Sequence, residues 1–233
     1  MRSNLFDQAN MENQSQDVFV QQNSKMLRAR VVPGRGVIAR KGAMVAYQGN
    51  VDFSHKGSDG IGQMFKKMMS SDNAPLMTVA GDGDVFFADR AAEVHLLALE
   101  GDGITVNGAN LLAFTEGLAY DINRVQGIGV LSGGVWNTTL TGQGMVALTT
   151  EGQPVLLDCS QQPTYTDIQA TVAWSVGLVP QIKKSFNMGS LVGRGSGEAF
   201  QYAFHGAGFV IVQPSEGAPP VQQGKQSGVS FSL

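Results

Sequence analysis

An apolar-Ala-aromatic triplet occurs three times along this chain, as Val45-Ala46-Tyr47, Leu112-Ala113-Phe114 and Val172-Ala173-Trp174. An apolar residue follows four positions past each aromatic, at Val51, Leu118 and Leu178. A Gly-x-Gly pair comes after each triplet and opens a strand-like segment: Gly81 and Gly83, Gly142 and Gly144, Gly195 and Gly197. Self-similarity at a long period decides architecture before any single residue is interpreted, because each copy buries its apolar face against its neighbours. The chain is therefore read as three copies of one unit. Thirty glycines and only 15% charged residues among 233 disfavour a helical bundle and favour short strands joined by tight turns.

The local pattern agrees. Leu27, Ala29 and Val31 alternate with Arg28, Arg30 and Val32, Pro33-Gly34 marks a turn, and residues 36–47 continue extended. Strand, turn and strand recur over 103–114, with a turn near Asn107-Gly108, and over 166–174. Each glycine pair leads into a hairpin-like stretch, over 85–99, 145–157 and 199–212. In the last of these Phe200, Tyr202 and Phe204 share one face at period two and are expected to be buried. The expected fold is all-β: a pseudo-threefold repeat of β-hairpin units forming a double-stranded β-helix or β-prism-like body, with at most one or two short helices. Residues 1–24 are read as a flexible polar arm with one strand near 17–21, and 214–233 as a disordered Gly, Pro, Gln and Ser tail. Between them lies a single β-domain, 25–213, divided at about 25–99, 100–159 and 160–213.

Composition excludes several classes of function. A net charge of −3 gives no electrostatic footprint for nucleic acid, and the basic pairs such as Arg28 and Arg30 or Lys183 and Lys184 have acids nearby. One cysteine, Cys159, excludes an internal disulfide framework and suits a reducing cytoplasm. The first 25 residues carry no apolar h-region and are not read as a secretory signal, and no apolar run is long enough to span a membrane.

The triplets and glycine pairs, with the closing stretch GRGSGEAFQYAFHGAGFVIVQ over 193–213, closely resemble the altered-inheritance-of-mitochondria protein 24 family, over about residues 26–213. These motifs are structural glycines and apolar positions. The resemblance implies a pseudo-threefold all-β body related to the tryptophan RNA-binding attenuator protein-like or double-stranded β-helix class. It supplies no catalytic residues, and the acidic balance argues against importing RNA binding with the fold. The fungal member of that family is linked to inner-membrane organisation, which implies a scaffolding or membrane-adjacent role. No mitochondrial presequence is evident, so the chain is read as bacterial and cytoplasmic.

Candidates for chemistry reduce to structural readings. A cupin-type metal site needs three histidines and a carboxylate, and the chain has only His55, His95 and His205, none in a His-x-His pair. His95 and His205 are read as solvent-facing or locally bonded, and no metal or other cofactor is expected. Cys159 has no neighbouring base to form a thiolate and is expected to pack at a strand end. The glycine pairs precede strands, unlike phosphate loops, which enter helices. Asp82, Asp84, Asp89, Glu93, Glu100 and Asp102 are placed in turns, where acidic side chains bond the local backbone. Trp136 and Trp174 are read as core or interface aromatics.

One segment supports a sharper expectation. Ile61, Met64, Phe65, Met68 and Met69 fall at helical spacing, with Lys66 and Lys67 on the opposite side. This is the best helix candidate, and its adaptable apolar face suits a partner contact, self-association or an anionic membrane surface. The reading that results is a non-enzymatic cytoplasmic binding or scaffold module that self-associates. A peripheral membrane-surface protein is the first alternative and a cupin-like metal-dependent enzyme the second.

Overall fold

The computed structural model describes residues 1–54, 76–124, 136–184 and 200–216. After two short 3-10 turns, Asn4–Phe6 and Gln8–Asn10, only strands follow among the described residues. They are β1 (Phe19–Asn23), β2 (Met26–Val31), β3 (Val37–Arg40), β4 (Met44–Ser54), β5 (Leu76–Phe87), β6 (Glu93–Asn107), β7 (Leu111–Thr115) and β8 (Ala119–Arg124). The second half holds β9 (Trp136–Thr150), β10 (Val155–Asp158), β11 (Thr164–Asp167), β12 (Thr171–Ser175), β13 (Gln181–Lys184), β14 (Phe200–Phe204) and β15 (Phe209–Val212). The fold is nearly all β. Twelve strands make one sheet, bonded in the order β1-β2-β5-β3-β7-β9-β6-β12-β15-β10, with β4 also on β5 and β8 also on β9; β11, β14 and β13 make a second.

Strands gather around three long lines of backbone. β5 carries β2 and β3 along one side and β4 along the other. β9 carries β6 along one side and β7 and β8 along the other. The line of β14 and β15 carries β11 and β10 on one side and β13 and β12 on the other. The triplets occupy matching places in these sets. In β4, β7 and β12 the register shifts just before the alanine, between Met44 and Ala46, Leu111 and Ala113, and Thr171 and Ala173. Val45, Leu112 and Val172 are thus the unpaired residues of three bulges, and each bulge bends its strand over the core.

The glycine pairs lie inside the long lines and not at their beginnings. Gly81 and Gly83 fall within β5, and Gly142 and Gly144 within β9. In the third line the residues in register are Gly206 and Gly208, between β14 and β15, whereas Gly195 and Gly197 lie outside the described residues. This corrects the pairing drawn from spacing alone. The physical reason is the apolar residue past each triplet, which lies over the second glycine of the pair. A Cβ on Gly83 would stand 2.9 Å from Val51 Cγ2, on Gly144 2.9 Å from Leu118 Cγ, and on Gly208 3.0 Å from Leu178 Cδ1. Gln48 O, Thr115 Oγ1 and Ser175 Oγ lie nearer still to the three positions, so none takes a side chain without a shift of its neighbours.

The same place explains why β4 is one strand while the later sets break theirs in two. Gln48 of β4 stays in the ladder opposite Asp84. In the second set Thr115 Oγ1 accepts the bond from Met145 N (3.1 Å), and in the third Ser175 Oγ accepts from Phe209 N (2.9 Å). A hydroxyl substitutes for the backbone carbonyl there, so the chain leaves the ladder without orphaning the donor.

Three apolar clusters fill the interior. Leu27, Val79, Val85 and Phe87 belong to the first, Ile104, Phe114, Leu140 and Val146 to the second, and Trp174, Tyr202, Phe204 and Val210 to the third. Tyr202 and Phe204 are buried as expected, and Cys159 packs with them just after β10. The described side chains do not include that of Phe200. The polar segment before β1 is tied down: Asn13 N donates to Gln22 Oε1 (2.8 Å), Gln22 Nε2 donates to Met11 O (2.8 Å), and Arg28 Nη1 donates to Ser15 O (3.0 Å). Arg28 is buried beneath it, with Nε 3.6 Å from Asp84 Oδ1, and Arg30 Nη1 lies 3.6 Å from Asp84 Oδ2.

Candidate functional site

Of the carboxylates expected in turns, Asp82, Asp84, Glu93, Glu100 and Asp102 sit in strands, and Asp84, Glu93 and Asp89 face cations. Asp84 lies between Arg28 and Arg30, Glu93 lies 3.6 Å from Lys25 Nζ, and Asp89, which does sit in a turn, is 2.7 Å from Arg40 Nη2. Each of these groups is paired with an arginine or lysine side chain. Asp102 accepts from Glu100 N (3.0 Å) across a bulge in β6. Among the described residues no three His, Cys, Asp or Glu side chains converge to hold a metal ion.

His95 sits on β6 opposite Leu148, with Nε2 2.8 Å from Thr150 Oγ1. Burial holds its pKa below the ordinary value, opposed by the Glu93 charge. It borders a cleft of about 220 Å³ whose other walls include Leu97, Leu156, Val172 and Ile211. The Thr150 hydroxyl that meets the imidazole itself donates to Gly152 O (2.7 Å), and no carboxylate is among the residues lining the cleft. His205 is exposed, and its ring lies 6.3 Å, edge-on, from that of Tyr165.

The surface holds the more telling arrangement, on two strands that lack a neighbour. β4 bonds β5 alone, and β11 bonds β14 alone, among the described strands. Along β4, Met44, Val45 and Tyr47 are exposed, and Tyr47 is 50% accessible. Its counterparts in the other triplets, Phe114 and Trp174, are 0% and 3% accessible, because β3 covers β7 and β6 covers β12. On β11, Tyr165 is 47% accessible and is held upright by Lys183, whose Nζ lies 3.1 Å from the Tyr165 hydroxyl and 4.3 Å from the ring centroid. On β10, Val155 and Leu156 are exposed as well.

The segment singled out in the sequence, with Ile61, Met64, Phe65, Lys66, Lys67, Met68 and Met69, connects β4 to β5 and lies outside the described residues, as does His55. The exposed edge residues were not distinguished by sequence, since Tyr47 stands in the same motif as two buried aromatics. No signal along the chain separates them.

A family model described as mitochondrial biogenesis AIM24 matches residues 18–215. The chain belongs to the AIM24 family. That match takes in β1 to β15 entire. The AIM24 chain is also similar to a Streptococcus pyogenes protein solved by X-ray crystallography, with a TM-score of 0.67 and 22% identity over 84% of this chain and 92% of that one. At that identity the likeness concerns the fold. No curated protein matches the chain. No helix among the described residues is long and apolar enough to cross a membrane.

Proposed function

We propose that this AIM24 protein acts without catalysis, as a cytoplasmic scaffold that associates with itself and with protein partners through its strand edges. On this reading the body is three copies of one β-strand unit, in the pseudo-threefold β-helix or prism-like arrangement, at 26–87, 93–150 and 155–212. The divisions on this reading fall before β6, which is bonded to β9 from Glu93 to Asn107, and before β10, which is bonded to β15, and so differ from divisions near 99 and 159. The observation that carries the proposal is the difference at the triplets: two aromatics are sealed by a neighbouring strand and the third, Tyr47, is left half exposed on an unpaired edge. Unpaired edges with apolar side chains invite strand addition.

Light scattering coupled to size exclusion, on untagged protein with its metal content measured, tests this. A defined species heavier than the 24.7 kDa chain, free of stoichiometric metal, is expected. A monomer with one bound metal per chain would replace the proposal with the metalloenzyme reading. Flotation with anionic vesicles that weakens with salt would move the protein to a membrane surface and make residues 60–70 the first to mutate.

A further inference from the structure

We infer that β11 of one copy pairs, antiparallel, with β4 of a second copy, setting Thr164 against Gln48, Tyr165 against Tyr47 and Thr166 against Ala46. The inference rests on the self-association reading above and names its interface. Its basis is a register that the chain makes twice and leaves unmade once. β3 pairs Val37 with Thr115, Ile38 with Phe114 and Ala39 with Ala113. β6 pairs Ile104 with Ser175, Thr105 with Trp174 and Val106 with Ala173. Counted from the triplet alanines, the two registers are identical. β11 holds the place of β3 and of the second half of β6, and the start of β4 holds the place of β7 and β12. Yet among the described strands β4 and β11 are bonded only within their own sets.

The two free edges are complementary in three further ways. The first is aromatic: Tyr165 and Tyr47, each about half exposed, would stand directly opposite, as Ile38 stands to Phe114 and Thr105 to Trp174. An opposed aromatic pair is among the stronger cross-strand contacts. The second is steric. At both junctions that exist, a glycine on the first strand faces a larger residue: Glu116 N donates to Gly36 O (3.3 Å), and Val176 N donates to Gly103 O (3.4 Å). A Cβ on Gly36 would stand 2.7 Å from Glu116 Oε2, and one on Gly103 3.2 Å from Val176 Cγ1. At the free edges the sizes are exchanged, with Pro163 in place of those glycines and Gly49 in place of Glu116 and Val176. Pro163 lacks the donor but keeps the carbonyl, the group that the other two junctions use.

The third is charge. At the strand end Arg40 Nη1 donates to Ala109 O (2.7 Å) and Asn107 Nδ2 to Ile168 O (3.3 Å), each reaching the turn before the next triplet. Asp167 occupies that place on β11, and the turn it would meet, before β4, carries Lys41. A contact in which one face meets a different face on the next copy is heterologous, so it generates closed rings or open filaments and not a twofold dimer.

Cross-strand cysteines test the register. Tyr47→Cys and Tyr165→Cys chains, oxidised separately and then as a mixture with buried Cys159 retained, are expected to give a covalent dimer only in the mixture. A single chain with both substitutions is expected to give a ladder of covalent multimers. Tyr47→Asp is expected to shift the wild-type oligomer to monomer in light scattering, and Tyr47→Asp with Tyr165→Lys to restore it. An oligomer that forms no 47–165 bond would overturn this interface and leave the scaffold reading standing. A double-cysteine chain that closes on itself and runs as a monomer would assign the pairing to one chain and overturn the inference. A wild-type chain that stays monomeric across a dilution series would remove both.

Discussion

β7 and β4 carry the same triplet pattern and the same bulge, and each triplet aromatic makes an edge-on ring pair, with centroids 5.1 Å apart for Phe114 and Tyr120 of β8 and 5.3 Å for Tyr47 and Phe53 of β4. Phe114 is nonetheless sealed from solvent and Tyr47 is half exposed. The difference is the next strand: β3 lies against β7, and no described strand lies against that edge of β4. Burial of the triplet is therefore decided at the junction between strand sets and not within a set. The largest expected effect follows from this. Phe114→Ala should cost about 3–5 kcal/mol in chemical denaturation, and Tyr47→Ala under about 1 kcal/mol at protein concentrations too dilute for association. Equal losses would mean that the neighbouring strand contributes nothing and would break the comparison.

The buried pair under the N-terminal segment sharpens the contrast between sealed and open surfaces. Arg28 has almost no exposure, while the Asp84 side chain keeps 23%. Asp84→Ala should cost about 2–3 kcal/mol, somewhat below the range for a fully buried pair, since it leaves the Arg28 charge with only the Ser15 carbonyl. Glu93→Ala, which breaks the more exposed ion pair with Lys25, should cost under about 1 kcal/mol. Similar losses in urea titrations of the two variants would show that the segment over Arg28 does not exclude water.

The fold was legible in the sequence wherever one local rule held in all three sets. The alanine of the triplet and the apolar residue four past the aromatic are such cases, because a bulge and a bare glycine impose them on each strand alike. The third glycine pair was misplaced because Gly195 and Gly197 satisfy the spacing, whereas only contact with Leu178 identifies Gly206 and Gly208. The candidate edge was not legible at all: Tyr47, Phe114 and Trp174 differ in what lies beside them, which no local pattern encodes. The glycine rule is itself testable. Gly144→Ala should cost about 1–3 kcal/mol, because the new Cβ would fall on Leu118 and the Thr115 hydroxyl. Gly117→Ala, with open space around it, should stay within about 0.5 kcal/mol. A benign Gly144→Ala would show that close packing of the apolar residue does not explain the paired glycines.

The smallest effect compares one position across the three sets. Leu27, His95 and Val155 stand opposite Phe87, Leu148 and Val212 in matching registers. Leu27 is sealed by β1, His95 is half covered, and Val155 is exposed, so the position opens progressively along the chain. Half-burial is what lowers the pKa of His95 in the fold. The sign follows from proton counting. Above about pH 6.5 the imidazole is neutral in both states and contributes no pH dependence. As pH falls below that value the unfolded chain takes up a proton that the folded chain resists, so stability declines until the folded pKa is passed and then levels off. His95→Gln keeps a group able to reach the Thr150 hydroxyl and removes the titration. Denaturation midpoints followed from neutral to mildly acid pH should fall less steeply in His95→Gln than in the wild type. Parallel slopes would mean that the cleft beside His95 is as wet as the surface around Val155, and the gradient of closure along the three sets would end at the first.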